Sequence, residues 1–188
     1  VDAIIAQGLE AGGHRGSFMT TDMTTQSGGL ALLPRICAEV SIPVIAAGGI
    51  AGPEGVGAAM ALGAAGVQVG TAFLLCPEAD TSPLHRAALM SDAASHTALT
   101  NVFTGRPARS IVNRLIREVG PMASSAPPFP AAANAVSLLR QATEPLNSSD
   151  FTPLWCGQNA NGCQQRPAAE LLHWLAHGIA GTGTAVKR

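Results

Sequence analysis

The sequence predicts an α/β fold built on a short parallel sheet, and three observations carry that prediction. Over residues 1–76 a short apolar run rich in Ile, Val and Ala ends in glycine and is followed by a helical pattern, and the theme repeats. The runs at residues 3–7, 43–47 and 66–69 are nearly continuous in apolar character, as strands covered on both faces are. The composition can build a core: 47% of the residues are hydrophobic and 12% charged, against roughly 25% charged in an average soluble domain, which excludes disorder for the bulk of the chain.

The elements follow in order. After the first strand, residues 30–40 read as a crossover helix with Leu30, Leu33, Cys37 and Val40 on one face, where Pro34 is tolerable only in the first turn. The second strand leads into a small-residue helix over 54–62, ended by Gly63 as the residue past its C-terminus. The stretch 55–76 is uncharged, but it holds five glycines and Gln68 and changes period midway, so it reads as a helix followed by a buried strand and not as a membrane span. Beyond Cys76 the texture changes. Residues 82–93 and 109–119 read as helices joined by an extended piece at 97–104. A Pro/Ser/Ala loop follows at 120–130, a helix at 131–142, a polar loop at 157–166, a last helix at 168–179 and a frayed end over 178–188. The 188 residues thus form a single partial domain, with strand and helix units over 1–78 and a mainly helical region over 79–188.

Charge and cysteine usage narrow the function classes. With 11 basic and 12 acidic residues, a net charge of −1 and no dense Lys/Arg cluster, electrostatic binding of nucleic acid is disfavoured. Cys37, Cys76, Cys156 and Cys163 are too scattered for a CxxC redox motif or a zinc site, and they read as thiols of a reducing, cytoplasmic compartment. His173 and His177 stand four apart but lack the glutamate of an HExxH site, so no metal is expected. The chain opens at Val1 inside an apolar run, which reads as an internal start.

The chemistry gathers in the loops after the three strands, which in parallel α/β folds lie at the carboxyl edge of the sheet. The first runs Gln7-Gly8-Leu9-Glu10-Ala11-Gly12-Gly13-His14-Arg15-Gly16, and its glycines let backbone approach a ligand closely. His14 is placed there as a general base or acid, or as a hydrogen-bond donor to an anion. The other two, Ala46-Ala47-Gly48-Gly49-Ile50 and Gln68-Val69-Gly70-Thr71-Ala72, combine backbone N–H groups with a threonine hydroxyl and suit a phosphate without a lysine.

These loops, together with Leu32-Leu33-Pro34, Pro43-Val44-Ile45-Ala46, Gly63-Ala64-x-Gly66-Val67, Phe103-Thr104-Gly105-Arg106-Pro107-Ala108-Arg109 and Trp155-x-Gly157-Gln158, stand in the order and spacing of a known family. The chain resembles the nitronate monooxygenases, formerly 2-nitropropane dioxygenases, which are FMN-dependent TIM (β/α)8 barrels. The resemblance covers most of the chain and is strongest over residues 1–78. It implies the C-terminal portion of such a barrel: about three parallel strands with their helices, plus additional C-terminal helices. It implies His14 as the active-site histidine, and FMN contacts from Gln7, Gly12, Gly13, Gly48, Gly49, Gln68, Val69, Gly70 and Thr71. Gly157 and Gln158 are candidates to line the cavity. The expected reaction is oxidation of an alkyl nitronate to a carbonyl compound and nitrite with dioxygen. A second member of the same resemblance, an FMN-dependent enoyl-acyl-carrier-protein reductase using NAD(P)H, shares the Gly-Gly-His loop. Because a (β/α)8 barrel needs roughly 250 residues, the chain as given reads as a fragment with an incomplete site, and an inactive fragment of such a flavoenzyme is the third reading.

Overall fold

The computed structural model describes residues 1–180. Its strands and α-helices are, in chain order, β1 Ile4–Gln7, β2 Gly13–His14, α1 Gly29–Glu39, β3 Val44–Ala47, α2 Pro53–Ala61, β4 Gly66–Gln68, α3 Pro83–Leu89, β5 Thr97–Thr100, β6 Ala108–Ile111, α4 Arg114–Val119, α5 Ala131–Thr143 and α6 Ala168–Ala180. They fall into two compact units, one of Val1–Ala11, Thr24–Asp80 and, among the described residues, 162–180, the other of Gly12–Met23 and Thr81–Asn161. Among the described residues no helix is long and apolar enough to cross a membrane.

The first unit carries the expected parallel sheet. Its order is β1-β3-β4, with Gln7 level with Ala47 and Ala47 level with Gln68, so the three strands end at one edge. Helices α1 and α2 supply the crossovers that parallel strands require. Ala6, Val44 and Ala46 are buried with Leu33, Ala59 and Ala64, while Leu32, Ile36 and Cys37 pack around them. The small alanines on strand and helix let the two layers approach closely.

Two expectations change here. The strands are not covered on both faces: burial alternates along β3, and Ile5 on the opposite face of β1 is 55% exposed. In α1, Leu30 turns outward and Leu33 is the buried anchor. The helix begins at Gly29, which puts Pro34 past the first turn, on an exposed side where the missing hydrogen bond to the Leu30 carbonyl is tolerated. Helix α2 ends as read, with Gly63 at φ +100°. On its outer side α6 packs Leu171 and Leu175 against Val56, Ala72 and Cys76. Helix α6 runs on to Ala180, through the start of the stretch read as a frayed end, and the rest of that stretch lies outside the described residues.

The second unit holds an antiparallel sheet, β2-β6-β5, pairing Gly13 with Arg109, His14 with Ala108 and Thr100 with Ala108. This corrects the helix read at 109–119. All four residues of β6 are buried, and Arg109 lies in the sheet, 5% exposed, donating to Thr97 Oγ1 at 3.1 Å. The helix starts only after Asn113, whose Oδ1 accepts from Ile116 N at 3.4 Å while its Nδ2 donates to the Ser149 and Thr152 carbonyls at 2.9 Å each. Between these elements sits a core of Val102, Phe103, Leu115, Ile116 and Val136.

Candidate active site

In the first unit the carboxyl ends of β1, β3 and β4 open into glycine-bearing loops. Gly8 N donates to the Ala47 carbonyl at 2.8 Å, which ties the first loop to the second strand. Gly48 and Gly49 have φ of +117° and +71°, where an L side chain is strained. A Cβ at Gly48 would also stand 2.9 Å from Ala11 N, so glycine is what lets the β1 loop fold over the end of β3. Gly70 faces open space, since a Cβ there meets nothing within 4 Å. Beside it Gln68 is exposed, and Val69 packs against the core of Ala51, Val56 and Ala72. Gln7, Gly48, Gly49, Gln68, Val69, Gly70 and Thr71 thus share one edge of this unit. Gly12, Gly13 and His14 belong to the second unit.

Glu10 has no role legible in the sequence, and the structure supplies one. Both carboxylate oxygens lie 2.9 Å from Gly29 N, at the first residue of α1, whose own N-cap Gly28 offers no side chain. A carboxylate at that end satisfies an orphan donor and faces the positive end of the helix dipole. Glu10→Ala is expected to cost about 1–2 kcal/mol, read as a lower midpoint in denaturant, with Glu10→Gln falling between it and the native protein.

In the second unit β2 places His14 beside β6. Its Nε2 lies 2.9 Å from Thr104 Oγ1. The ring packs on Trp155 at 5.5 Å between centroids and meets Phe129 edge-on at 5.9 Å. Burial, and then the Arg106 cation, hold the His14 pKa below its ordinary 6.5, so the imidazole is neutral at physiological pH. Arg106 also fixes the chain after His14. Its Nη2 donates to the carbonyls of Arg15 and Ser17 at 3.2 Å each, and its guanidinium lies 4.2 Å over the Phe18 ring.

Trp155 is in turn held from two sides. Residues 154–156 run along β6, with Ile111 N donating to Leu154 O at 2.9 Å and Leu154 N donating to Ser110 Oγ at 3.1 Å. His85 on α3 bonds the Trp155 carbonyl through Nε2 at 3.0 Å, and burial lowers its pKa against the raising effect of that bond. His85 is therefore a neutral donor in the support of the site.

The pattern of the nitronate monooxygenase family matches residues 1–178. The chain belongs to the nitronate monooxygenase family. A nitronate monooxygenase from Pseudomonas aeruginosa is 42% identical over 181 residues, 96% of this chain and 52% of that protein. Among solved structures, a nitroalkane oxidase from Streptomyces ansochromogenes superposes with a TM-score of 0.86 at 39% identity, covering 97% of this chain and 52% of that one. FabK from Thermotoga maritima superposes at 0.75 with 30% identity, covering 97% and 55%. The chain spans about half the length of these relatives.

Of the residues that the nitronate monooxygenase resemblance singles out, Gly12 has a plain steric reason to be glycine: a Cβ there would stand 2.6 Å from Gly157 N. Gly157 is buried and Gln158 exposed. Thr104, Arg106, Phe129 and Trp155 form the surroundings of His14; the sequence offers Trp155 as a packing residue that could border the pocket, and gives Thr104, Arg106 and Phe129 no place beside the histidine. The signal available is the segment Phe103-Thr104-Gly105-Arg106, whose glycine marks a turn with polar residues on either side.

Proposed function

We propose that this chain is part of an FMN-dependent enzyme that oxidises alkyl nitronates with dioxygen, yielding a carbonyl compound and nitrite. The observation that carries the reading is a neutral histidine in contact with two aromatic rings and near a cation, an arrangement suited to a small substrate that becomes anionic. We further propose that β1, β3 and β4, within residues 1–78, are the last three strands of a (β/α)8 barrel, whose loops after strands seven and eight bind phosphate.

The residues present fit the cofactor. Gly48 and Gly49 hold positive φ, a Cβ at Gly70 would meet nothing within 4 Å, and Thr71 follows it with its hydroxyl. In the proposal Gly48, Gly49, Gly70 and Thr71 hold the phosphate through backbone N–H groups and the hydroxyl, and Gln7, Gln68 and Val69 contact the rest of the group. Gly12 and Gly13 contribute backbone contacts next to His14. When bound, FMN supplies the two-electron chemistry, accepting electrons from the substrate and passing them to dioxygen.

The protein's part is positional and acid–base. His14 stabilises the anionic nitronate by hydrogen bonding or electrostatics, and where a neutral nitroalkane is the substrate it takes the proton from the carbon next to the nitro group, the imidazolium so formed pairing with the nitronate. Trp155 and Phe129 place apolar ring surface against the imidazole. The proposal places the enzyme in the cytoplasm, since its four cysteines form no disulfide with one another.

The test is an absorbance spectrum of the purified full-length protein. Flavin bands that bleach on anaerobic addition of an alkyl nitronate, without NAD(P)H, are expected. Bleaching by NAD(P)H at a catalytically competent rate would point instead to the reductase chemistry that shares the Gly-Gly-His loop. A folded protein with no flavin would overturn the cofactor assignment.

A further inference from the structure

The hydrogen bonds around Thr104 determine more about His14 than its position. The Thr104 hydroxyl has one proton to donate and two lone pairs to accept with. Three partners surround it: the Arg106 carbonyl, to which Oγ1 donates at 3.2 Å, the Arg106 N–H, from which it accepts at 3.4 Å, and His14 Nε2 at 2.9 Å. If the hydroxyl proton goes to the carbonyl, the oxygen has a single lone pair left for the histidine, and Nε2 must be the donor. If the proton went to Nε2, the Arg106 carbonyl would lose its bond to the hydroxyl, and the oxygen would keep an acceptor site that none of these three partners fills. All three contacts are satisfied only when Nε2 carries a hydrogen.

We propose that Thr104 is a positioning residue that fixes His14 as its Nε2–H tautomer, so that Nδ1 is the nitrogen that takes and releases the proton during turnover. The assignment rests on the role given to His14 above. In the step it governs, the C–H bond next to the nitro group breaks, its electron pair passes to the nitro oxygens, and the proton forms the new N–H bond at Nδ1. The Nε2–H to Thr104 bond then becomes charge-assisted and favours the imidazolium. Arg106 opposes that charge, and the rings of Phe129 and Trp155 carry none. Thr104 therefore offsets at one nitrogen part of what Arg106 imposes on the ring.

The two possible directions of the hydrogen bond have opposite signatures. A hydroxyl that accepts from Nε2–H stabilises the charged ring, so removing it lowers the His14 pKa. A hydroxyl that donates to Nε2 stabilises the neutral ring, so removing it raises the pKa. The experiment is an NMR titration of the full-length protein carrying 15N-labelled histidine, with the His14 signals identified by their loss in His14→Gln. The native protein is expected to show a protonated Nε2 and an unprotonated Nδ1 above the titration. Thr104→Val and Thr104→Ala are both expected to shift the His14 titration downward, and Thr104→Ser to restore it. Using both variants separates the lost acceptor from the change in solvation, since valine fills the space and alanine opens it. An upward shift, no shift, or a native Nδ1–H tautomer overturns the proposal. The two outcomes are distinguishable: if His14→Gln turned over a neutral nitroalkane at the native rate, the base role of His14 would fail while the titration would still decide Thr104.

Discussion

His14→Ala in the full-length protein is expected to slow turnover of a neutral nitroalkane by about 10²–10⁴-fold, the usual worth of a positioned general base, while flavin stays bound. The separation of effects follows from where the groups lie. The strand-end loops of Gly48, Gly49, Gly70 and Thr71 belong to the first unit and His14 to the second, so the variant leaves the proposed phosphate cradle intact. A nitronate supplied already ionised needs no proton removed, and its loss should be markedly smaller. The pH dependence has a definite sign. Burial and Arg106 lower the His14 pKa from 6.5, and the neutral form is the base, so the rate rises with pH through that depressed value and then levels. Arg106→Gln removes the opposing cation and should move the rising limb to higher pH. Native turnover in His14→Ala, or equal losses with the nitroalkane and the nitronate, would remove the base role.

How legible these features are in the sequence depends on the range over which each is specified. The parallel strands can be read because each carries its own signal, an apolar run stopped by glycine, and the helices between them carry theirs. Gly63 behaves as read for the same reason, because a helix end is a local event. Strand β6 reads wrongly as helix because its centre, Arg109-Ser110, is polar, and the spacing of arginines from 106 to 117 mimics a solvated helical face. Its burial is decided by the nearby Thr97–Thr100 on one side and the remote Gly13–His14 on the other, and no short window of sequence contains the second of these. The surroundings of His14 are out of reach for the same physical reason: Thr104 is 90 residues away along the chain, and Phe129 and Trp155 lie farther still. The histidine itself is visible because its loop is glycine-rich, yet its protonation state is set by groups whose proximity only folding creates.

Gly105→Ala is expected to be the most damaging single substitution in the second unit, and to act on stability and site together. Gly105 has φ of +84°, which costs an L residue about 1–2 kcal/mol by itself. Steric overlap costs more. A Cβ there would overlap the Pro127 carbonyl oxygen and stand 2.5 Å from Phe129 N and 2.6 Å from Pro128 C. These are backbone atoms, with no flexible side chain to swing away, so the segment at 127–129 must move or the turn must open. Either response reaches His14: the turn carries Thr104 and Arg106, and the displaced segment carries Phe129, whose ring meets the imidazole edge-on. A loss of about 4 kcal/mol or more belongs to the exceptional class that forced backbone clashes produce. For a unit of this size that amounts to a fall of about 15 °C or more in Tm. Gly13→Ala is the informative control, because Gly13 also has a positive φ, +72°, but its Cβ would meet nothing within 4 Å. It should cost only the backbone strain of a positive φ. If the two variants unfolded at the same temperature, the close approach of residues 127–129 to Gly105 would not be what demands glycine in this turn.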